Sequence, residues 1–330
     1  MSFCPGLNRR QFAAITAGLT AASFGSLARA QGTWPGKPVR VVLGYAPGGG
    51  SDVMARVLSV PMNEMLGQPI IVDNKPGASG NIATVEVAKA PADGYTLLCA
   101  PTTQITANPY IFKMPIDPNK DIVPIAAVGR YSMNLVTRLG LPFKTFKDFL
   151  AYGRANPGKL TYASGGTGTQ PHLVAAAMFK QAGIQAIHVP YKGSGPALQA
   201  MLTGETDMVI DPGIAFPHVR TGKVMMLATA GAKRLSQFPD MPTMREEGLP
   251  GMDFYAWIGM YSPAGTPAAV NAKISETLAK ALQVQAVIDR FNGSGAEVIY
   301  ENAAGFNQVI RNETQVFSSL IHELGIKGDS

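Results

Sequence analysis

Short apolar runs alternate with stretches of helical period along most of the chain. VRVVLGY, Val39 to Tyr45, is a continuous apolar run of strand length bounded by turn residues, which predicts a buried strand. SDVMARVLSVPMNEMLG follows with helical spacing, Ser51 or Asp52 as its N-cap and Gly67 as its stop. PIIVDNK predicts a second strand, GNIATVEVAKA a helix that ends before the turn PADG, and YTLLCAP a third strand. This β-α-β-α-β order predicts a parallel sheet with helices on both faces.

A β-prone stretch, DIVPIAAVGRYSMNLVTR from Asp121 to Arg138, is too long for an ordinary strand. A second β/α unit follows it. FKTFKDFLAYGRANPGK predicts a helix, LTYASGG a strand, QPHLVAAAMFKQAG a helix, AIHVPYKG a strand, GPALQAMLTGE a helix and TDMVIDP a strand. KVMMLATAG and the loop FPDMPTMREEGLPG lead to another β-like stretch, DFYAWIGMYSPAG, Asp253 to Gly265. From there helices are expected to the end: PAAVNAKISETLAKALQ, QAVIDRFNG and NAAGFNQVIRNETQVFSSLIHELG. The expected fold is α/β in two lobes. Residues 31–125 and 256–330 form the first lobe, residues 126–255 the second, and two extended segments cross between them. Such a hinge leaves a cleft, where ligands preferentially bind.

Two glycine-rich turns carry the candidate chemistry. The first, Ala46-Pro47-Gly48-Gly49-Gly50-Ser51-Asp52, joins a strand ending at Tyr45 to a helix. The first turn of a helix has unpaired N–H groups and a positive dipole end, and glycine lets a ligand approach the backbone closely. Together they form an anion pocket at the carboxyl edge of a sheet. Asp52 either caps its helix or receives a ligand ammonium group. The second turn, Ser164-Gly165-Gly166-Thr167-Gly168-Thr169-Gln170-Pro171-His172, has the same strand-to-helix context and adds hydroxyl donors. Facing each other across a cleft, the two turns would clamp an organic acid. Other candidates stay open between two roles. His172 either touches ligand or serves its helix or the core. Asp211 either binds a ligand amine or hydroxyl or begins the turn before Pro212-Gly213. Tyr191 and Lys192 sit at a strand end, and Lys192 either attracts a carboxylate or is solvated. Thr102, just past the third strand, joins the candidate set. Tyr255 and Trp257 either pack the hinge or line the cleft.

Composition narrows the class. Of 330 residues 46% are apolar and 15% charged, so a sizeable core is available. The first thirty residues read as an export signal, and mature structure is expected only after them. Arg9-Arg10 in NRRQFA precedes an apolar run from Phe12 to Phe24, and LARA ends in an A-x-A cleavage pattern before Gln31. The arginine pair suggests the twin-arginine export route, with an ordinary secretory signal as the alternative, and export implies a bacterial periplasm. The run is too short and too rich in small residues to span a bilayer stably, and no other run of that kind is long enough. Removing Arg9, Arg10 and Arg29 from the 28 basic residues leaves 25 against 22 acidic ones, a net charge of +3. No basic block or aromatic-basic interleaving is present, so nucleic acid is not an expected partner. Cys4 leaves with the signal. Cys99, in an apolar strand, is then alone and reads as a buried small hydrophobe.

Catalytic and metal signatures are missing. The four histidines, His172, His188, His218 and His322, show no H-E-x-x-H or paired ligand spacing. There is no G-x-S-x-G elbow and no nucleotide loop: G-x-x-x-x-G-K-[ST] and G-x-G-x-x-G are both absent from the turns. No cofactor, metal or catalytic residue is therefore expected, and the chain reads as a binding protein and not as an enzyme.

The ordered set WPGKPVRVVLGYAPGGGSD, GQPIIVDNKPGASGNIA, APADGYTLL, YASGGTGTQPHL, VPYKGSGPALQAMLTGETD, RLSQFPDMPTMREEGLPG and WIGMYSPAGTP runs nearly the whole mature length. In this the chain resembles the periplasmic receptors of the tripartite tricarboxylate transporter system, the Bug-type receptors. The resemblance implies a type II periplasmic-binding-protein fold, a Venus flytrap. It implies capture of a small carboxylated solute between the lobes, often through bridging waters, by a protein expected to be a monomer. It also implies delivery to an inner-membrane permease made of a large and a small integral subunit. On that basis Tyr45 to Asp52 and Ser164 to His172 carry the two ligand loops, and the family's cleft position in the second lobe falls at Asp211. Two other readings remain: a sensor that passes ligand occupancy to a signalling system, and an exported enzyme acting on small organic acids.

Overall fold

The computed structural model describes residues 34–328. The expected signal segment, its cleavage point after Ala30, and Cys4 lie outside the described residues. Along the chain the elements are β1 (Val39–Leu43), α1 (Gly50–Leu66), β2 (Ile70–Asn74), α2 (Asn81–Ala88), β3 (Thr96–Pro101), α3 (Thr103–Thr106), α4 (Asn108–Ile111), α5 (Pro118–Asp121), β4 (Ile122–Ser132) and β5 (Asn134–Arg138). Then come α6 (Phe146–Ala155), β6 (Leu160–Ser164), α7 (Gln170–Ala182), β7 (Ala186–Pro190), α8 (Ser194–Leu202), β8 (Met208–Asp211), α9 (Phe216–Arg220) and β9 (Val224–Thr229). The chain closes with β10 (Tyr255–Pro263), α10 (Ala268–Ala281), α11 (Gln285–Gly293), β11 (Ala296–Asn302) and α12 (Ala303–Leu324).

Two sheets organise these elements. One has strand order β11-β4-β10-β3-β1-β2 and the other β7-β6-β8-β5-β9. Within each, the β/α-connected strands run parallel, β1 with β2 and β3, and β6 with β7 and β8. The sheets are nevertheless mixed, which corrects the all-parallel expectation. β10 runs antiparallel to both β3 and β4, β11 antiparallel to β4, and β5 antiparallel to β8 and β9. The reason is topological: strands that pass between sheets enter without a crossover helix and can pair in the opposite sense. The stretch from Asp121 to Arg138 divides at Met133: β4 belongs to the first sheet and β5 to the second. The chain returns to the first sheet through β10.

Five elements depart from expectation, one strand and four short helices. AEVIYEN carries no strand pattern that the sequence reading picks out, yet it forms β11, held on β4 by the pairs Ala296–Tyr131 and Glu297–Arg130. The short helices α3, α4, α5 and α9 were likewise not expected; four- and five-residue helices carry too little periodicity to register. Each lobe has its own core. Val42, Ala83, Val87, Leu98, Ala127 and Phe306 pack within the first, and Val136, Ala163, Met201, Val209 and Phe216 within the second. A third cluster joins Leu173 of α7 to Phe317 and Ile321 of α12, tying the two halves together along one seam.

Candidate functional site

The first glycine turn leaves β1 and opens α1. Gly48 has a φ of +86°, a left-handed conformation that glycine adopts without strain. The N-cap is Gly49, two residues before Ser51 and three before Asp52, the expected caps, and it makes no side-chain capping bond. The leading N–H groups of α1 therefore keep the orphan character of a helix start. Asp52 sits inside the first helical turn. Its carboxylate is buried and accepts from Gly48 N at 3.1 Å, Arg56 Nε at 3.0 Å and Asn74 Nδ2 at 3.0 Å. Burial alone would raise its pKa; the bonds from Arg56, Gly48 and Asn74 outweigh it and hold the carboxyl below the usual range. The side chain thus shapes the turn from behind.

The second turn leaves β6 and opens α7. Its N-cap Thr169 also makes no side-chain capping bond; the hydroxyl instead donates to Gly166 O at 2.7 Å. Ser164 Oγ closes the turn, accepting from Gly166 N and lying 2.6 Å from His188 Nε2. His172 Nδ1 accepts from Gly168 N at 3.0 Å. Burial, and secondarily the charge of His188, push the His172 imidazole down to about 3, so it is neutral at physiological pH.

A third helix start joins them. Gly193, φ +131°, is the N-cap of α8 and again supplies no side-chain cap. A Cβ on Gly165 would lie 3.2 Å from the backbone of Gly193 and Ser194, and one on Gly193 3.4 Å from Tyr45 Cβ. Glycine is what lets these turns approach so closely. The two halves also bond across the gap: Ala46 N donates to Lys192 O at 3.1 Å, and Ser79 Oγ donates to Thr167 O at 2.6 Å.

Between the turns lies a cavity of about 60 Å³, room for a few groups the size of water. Of the sequence candidates, Tyr45, Gly49, Gly50, Ser51, Gly165 and Thr169 line it. Gly48, Pro47, Gly166, Thr167 and Gly168 belong to the same turns without lining it, and Ser164 and Thr102 are buried beside it. His172 and Asp52 face the backbone of their own turns. Tyr191 points its hydroxyl to Glu205, 2.7 Å away. Asp211 is buried and accepts from Gly213 N at 2.6 Å and Ala215 N at 3.0 Å, which is the turn-forming role left open by the sequence. Burial nevertheless dominates those two bonds and pushes its pKa up to about 7.

Sequence reasoning did not single out Pro101, Thr103, Tyr131, Met133, Ser194, Ala256 or Ile258, all of which line the cavity, whereas Gln170, which also lines it, falls inside the second ligand loop. Ser194 was within reach: KGSGPA is a third strand-Gly-helix junction. The residues from β4 and β10 were not, because only sheet pairing brings Tyr131 opposite Ala256 and Ile258 opposite Pro101. The alternation of β10 also settles Tyr255 and Trp257. Ala256 and Ile258 face the cavity, whereas Arg130 stacks its guanidinium 3.8 Å above the Tyr255 ring and 5.2 Å from the Trp257 ring. Among the described residues no group of three or more His, Cys, Asp or Glu side chains could hold a metal ion, and no helix is long and apolar enough to cross a membrane.

Residues 54–326 match the model of the tripartite tricarboxylate transporter family receptor. Protein BugT of Bordetella pertussis is 34% identical over 300 residues, covering 89% of this chain and 91% of BugT. The structure of the periplasmic binding protein BugD superimposes with a TM-score of 0.84 at 30% identity, covering 90% of this chain and all of that one. MatC from Rhodopseudomonas palustris with bound malate superimposes with a TM-score of 0.83 at 32% identity, covering 87% of this chain and all of MatC. The two-lobed α/β fold is that of the periplasmic binding proteins, and the chain belongs to the tripartite tricarboxylate transporter receptor family.

Proposed function

We propose that this receptor takes its solute between the glycine turns, with the N–H groups at the starts of α1, α7 and α8 gripping a carboxylate. The protein is a periplasmic solute-binding receptor for a small carboxylate, in keeping with its family and with the malate held by MatC. The observation that carries the site is the convergence of three uncapped helix starts on one cavity. Orphan N–H donors and positive dipole ends are suited to an anion and need no charged side chain. Tyr45, Gly49, Gly50, Ser51, Gly165 and Thr169 are the sequence candidates that meet the solute; Asp52, Ser164, Gly166, His172 and Asp211 hold the turns that present them. Capture serves a transporter. Its membrane partner is a permease of one large and one small integral subunit, and the chain reaches the periplasm through the twin-arginine route with cleavage after Ala30.

Titration calorimetry of the protein, unfolded and refolded to strip any trapped solute, against a panel of aliphatic, hydroxylated and aromatic acids tests the reading. Binding of an acid at the usual micromolar level or tighter, lost on Gly165→Val, supports it. Failure of every acid to bind overturns it. Replacing Arg9-Arg10 by a lysine pair and fractionating cells tests the export route: unchanged periplasmic yield rejects it.

A further inference from the structure

Resting on that receptor reading, we infer that Ser79 is the latch of the closed cleft, a positioning residue that sets how long a captured solute stays bound. It lies in Gly77-Ala78-Ser79-Gly80, the turn between β2 and α2. All four residues have positive φ: +140°, +46°, +52° and +90°. Glycine adopts such angles freely, but Ala78 and Ser79 carry a Cβ that crowds the neighbouring backbone there. A residue other than glycine stays in that region only where its surroundings hold it.

Ser79 is held from three directions. Its carbonyl accepts from Tyr45 Oη and from Asn108 Nδ2, each at 3.0 Å. Its hydroxyl donates to Thr167 O at 2.6 Å. Tyr45 lines the solute cavity, Asn108 opens α4 of the same lobe, and Thr167 lies in the second glycine turn, across the gap. One residue thus joins the cavity wall to the opposite lobe without lining the cavity itself. The second turn is shaped to receive it. A Cβ on Gly166 would lie 2.8 Å from Ser79 Oγ, and one on Gly168 would lie 2.5 Å from Ile111 Cδ1 at the end of α4.

The bond to Thr167 exists only while the lobes are together. Opening removes one of the three supports of a strained turn, and a solute against the Tyr45 ring fixes the phenol that supplies another. Closure, the strained turn and an occupied cavity therefore favour one another. A contact made on closing, after the solute has entered, slows its departure and leaves its entry unchanged. Ala46 N and Lys192 O also bond across the gap, but from backbone to backbone. The Ser79 bond depends on a side chain, so a substitution can remove it.

The test compares wild type with Ser79→Ala, which keeps the Cβ and the carbonyl and loses only the hydroxyl. The probe is the tightest-binding acid of a calorimetric panel that includes malate, adipate and benzoate. Stopped-flow displacement and NMR line shapes read its rates. Dissociation should quicken about tenfold while association stays within about twofold of wild type. The ligand-free variant should melt as wild type does, since parted lobes have no such bond to lose. Tyr45→Phe keeps the ring and loses the phenol; it should also quicken dissociation, and its effect should be less than additive with Ser79→Ala. Full additivity of the two overturns the link between cavity and latch. Unchanged dissociation in Ser79→Ala, or an equal loss of stability with and without solute, overturns the latch and leaves the receptor reading standing. Failure of every acid in the panel to bind overturns both.

Discussion

His172 and His188 stack face to face, ring centroids 4.0 Å apart and 6° from parallel, and each ring holds a different end of the second glycine turn. His172 Nδ1 takes the N–H of Gly168, and His188 Nε2 meets the hydroxyl of Ser164. Only an unprotonated Nδ1 can accept that N–H, and a second charge 4.0 Å away would be repelled. The stacked pair braces the turn, with His172 neutral.

That brace makes the fold acid-sensitive. In the unfolded chain His172 binds a proton below its ordinary value of 6.5, while burial holds it neutral in the fold down to about 3. Its contribution to stability is complete above 6.5 and drains away as pH falls towards 3, at up to about 1.4 kcal/mol per pH unit. Thermal melting of wild type and His172→Gln should show a gap in favour of the variant that widens from pH 6.5 to 4. A constant gap would mean that the histidine titrates normally in the fold.

Asp211 works in the opposite sense. Its folded pKa, pushed up to about 7, means that its favourable contribution is present below its ordinary 3.8 and lost as pH rises through 7. Both backbone N–H groups bond to the same oxygen, so an asparagine Oδ1 can take them over. Asp211→Asn should therefore be destabilising or neutral at pH 4 and stabilising at pH 8. Melting curves at the two pH values check this, and the same sign at both would refute it.

Asp52→Ala should cost about 1–3 kcal/mol of stability, because it leaves Gly48 N without its buried acceptor and Asn74 Nδ2 with only Tyr45 O. Solute affinity should fall with it, since the turn that aims the start of α1 loses its brace. Urea denaturation and calorimetry read the two effects separately. A variant that keeps both values would show the turn to be self-supporting.

Gly166→Ala should weaken solute binding more than it weakens the isolated lobes. Gly166 has φ +131°, and an added Cβ would sit 2.8 Å from Ser79 Oγ, the hydroxyl that bonds across the gap to Thr167 O. Small-angle scattering with saturating solute should show a more open average shape than wild type.

Cys99 should be inert in the folded protein. It is fully buried on β3, and burial, with a smaller contribution from Asp52, pushes its thiol up to about 12. Iodoacetamide at pH 8 should label the chain from Gln31 onward only after denaturant is added; labelling of the native protein would show that the first sheet opens readily.

The turns were legible in the sequence because their physics is local. A strand such as VRVVL, three glycines and an amphipathic start such as SDVMARVL specify a strand, a tight turn and a helix N-terminus from neighbours alone. The same locality made α1, α7 and α12 readable. What the neighbours could not specify was direction and partnership. AEVIYEN becomes a strand because β4 offers it an edge, and β10 runs against β3 because the chain arrives from the other lobe. Asp52, His172 and Asp211 stand open in the sequence between ligand and turn roles; in the fold each accepts a backbone N–H of its own turn. Met133, Ala256 and Ile258 read as ordinary core residues, yet they form part of the cavity wall. Short-range sequence determined which backbone groups stay unpaired. Long-range pairing alone decided which side chains meet them, because that depends on residues more than a hundred positions apart being brought to one place.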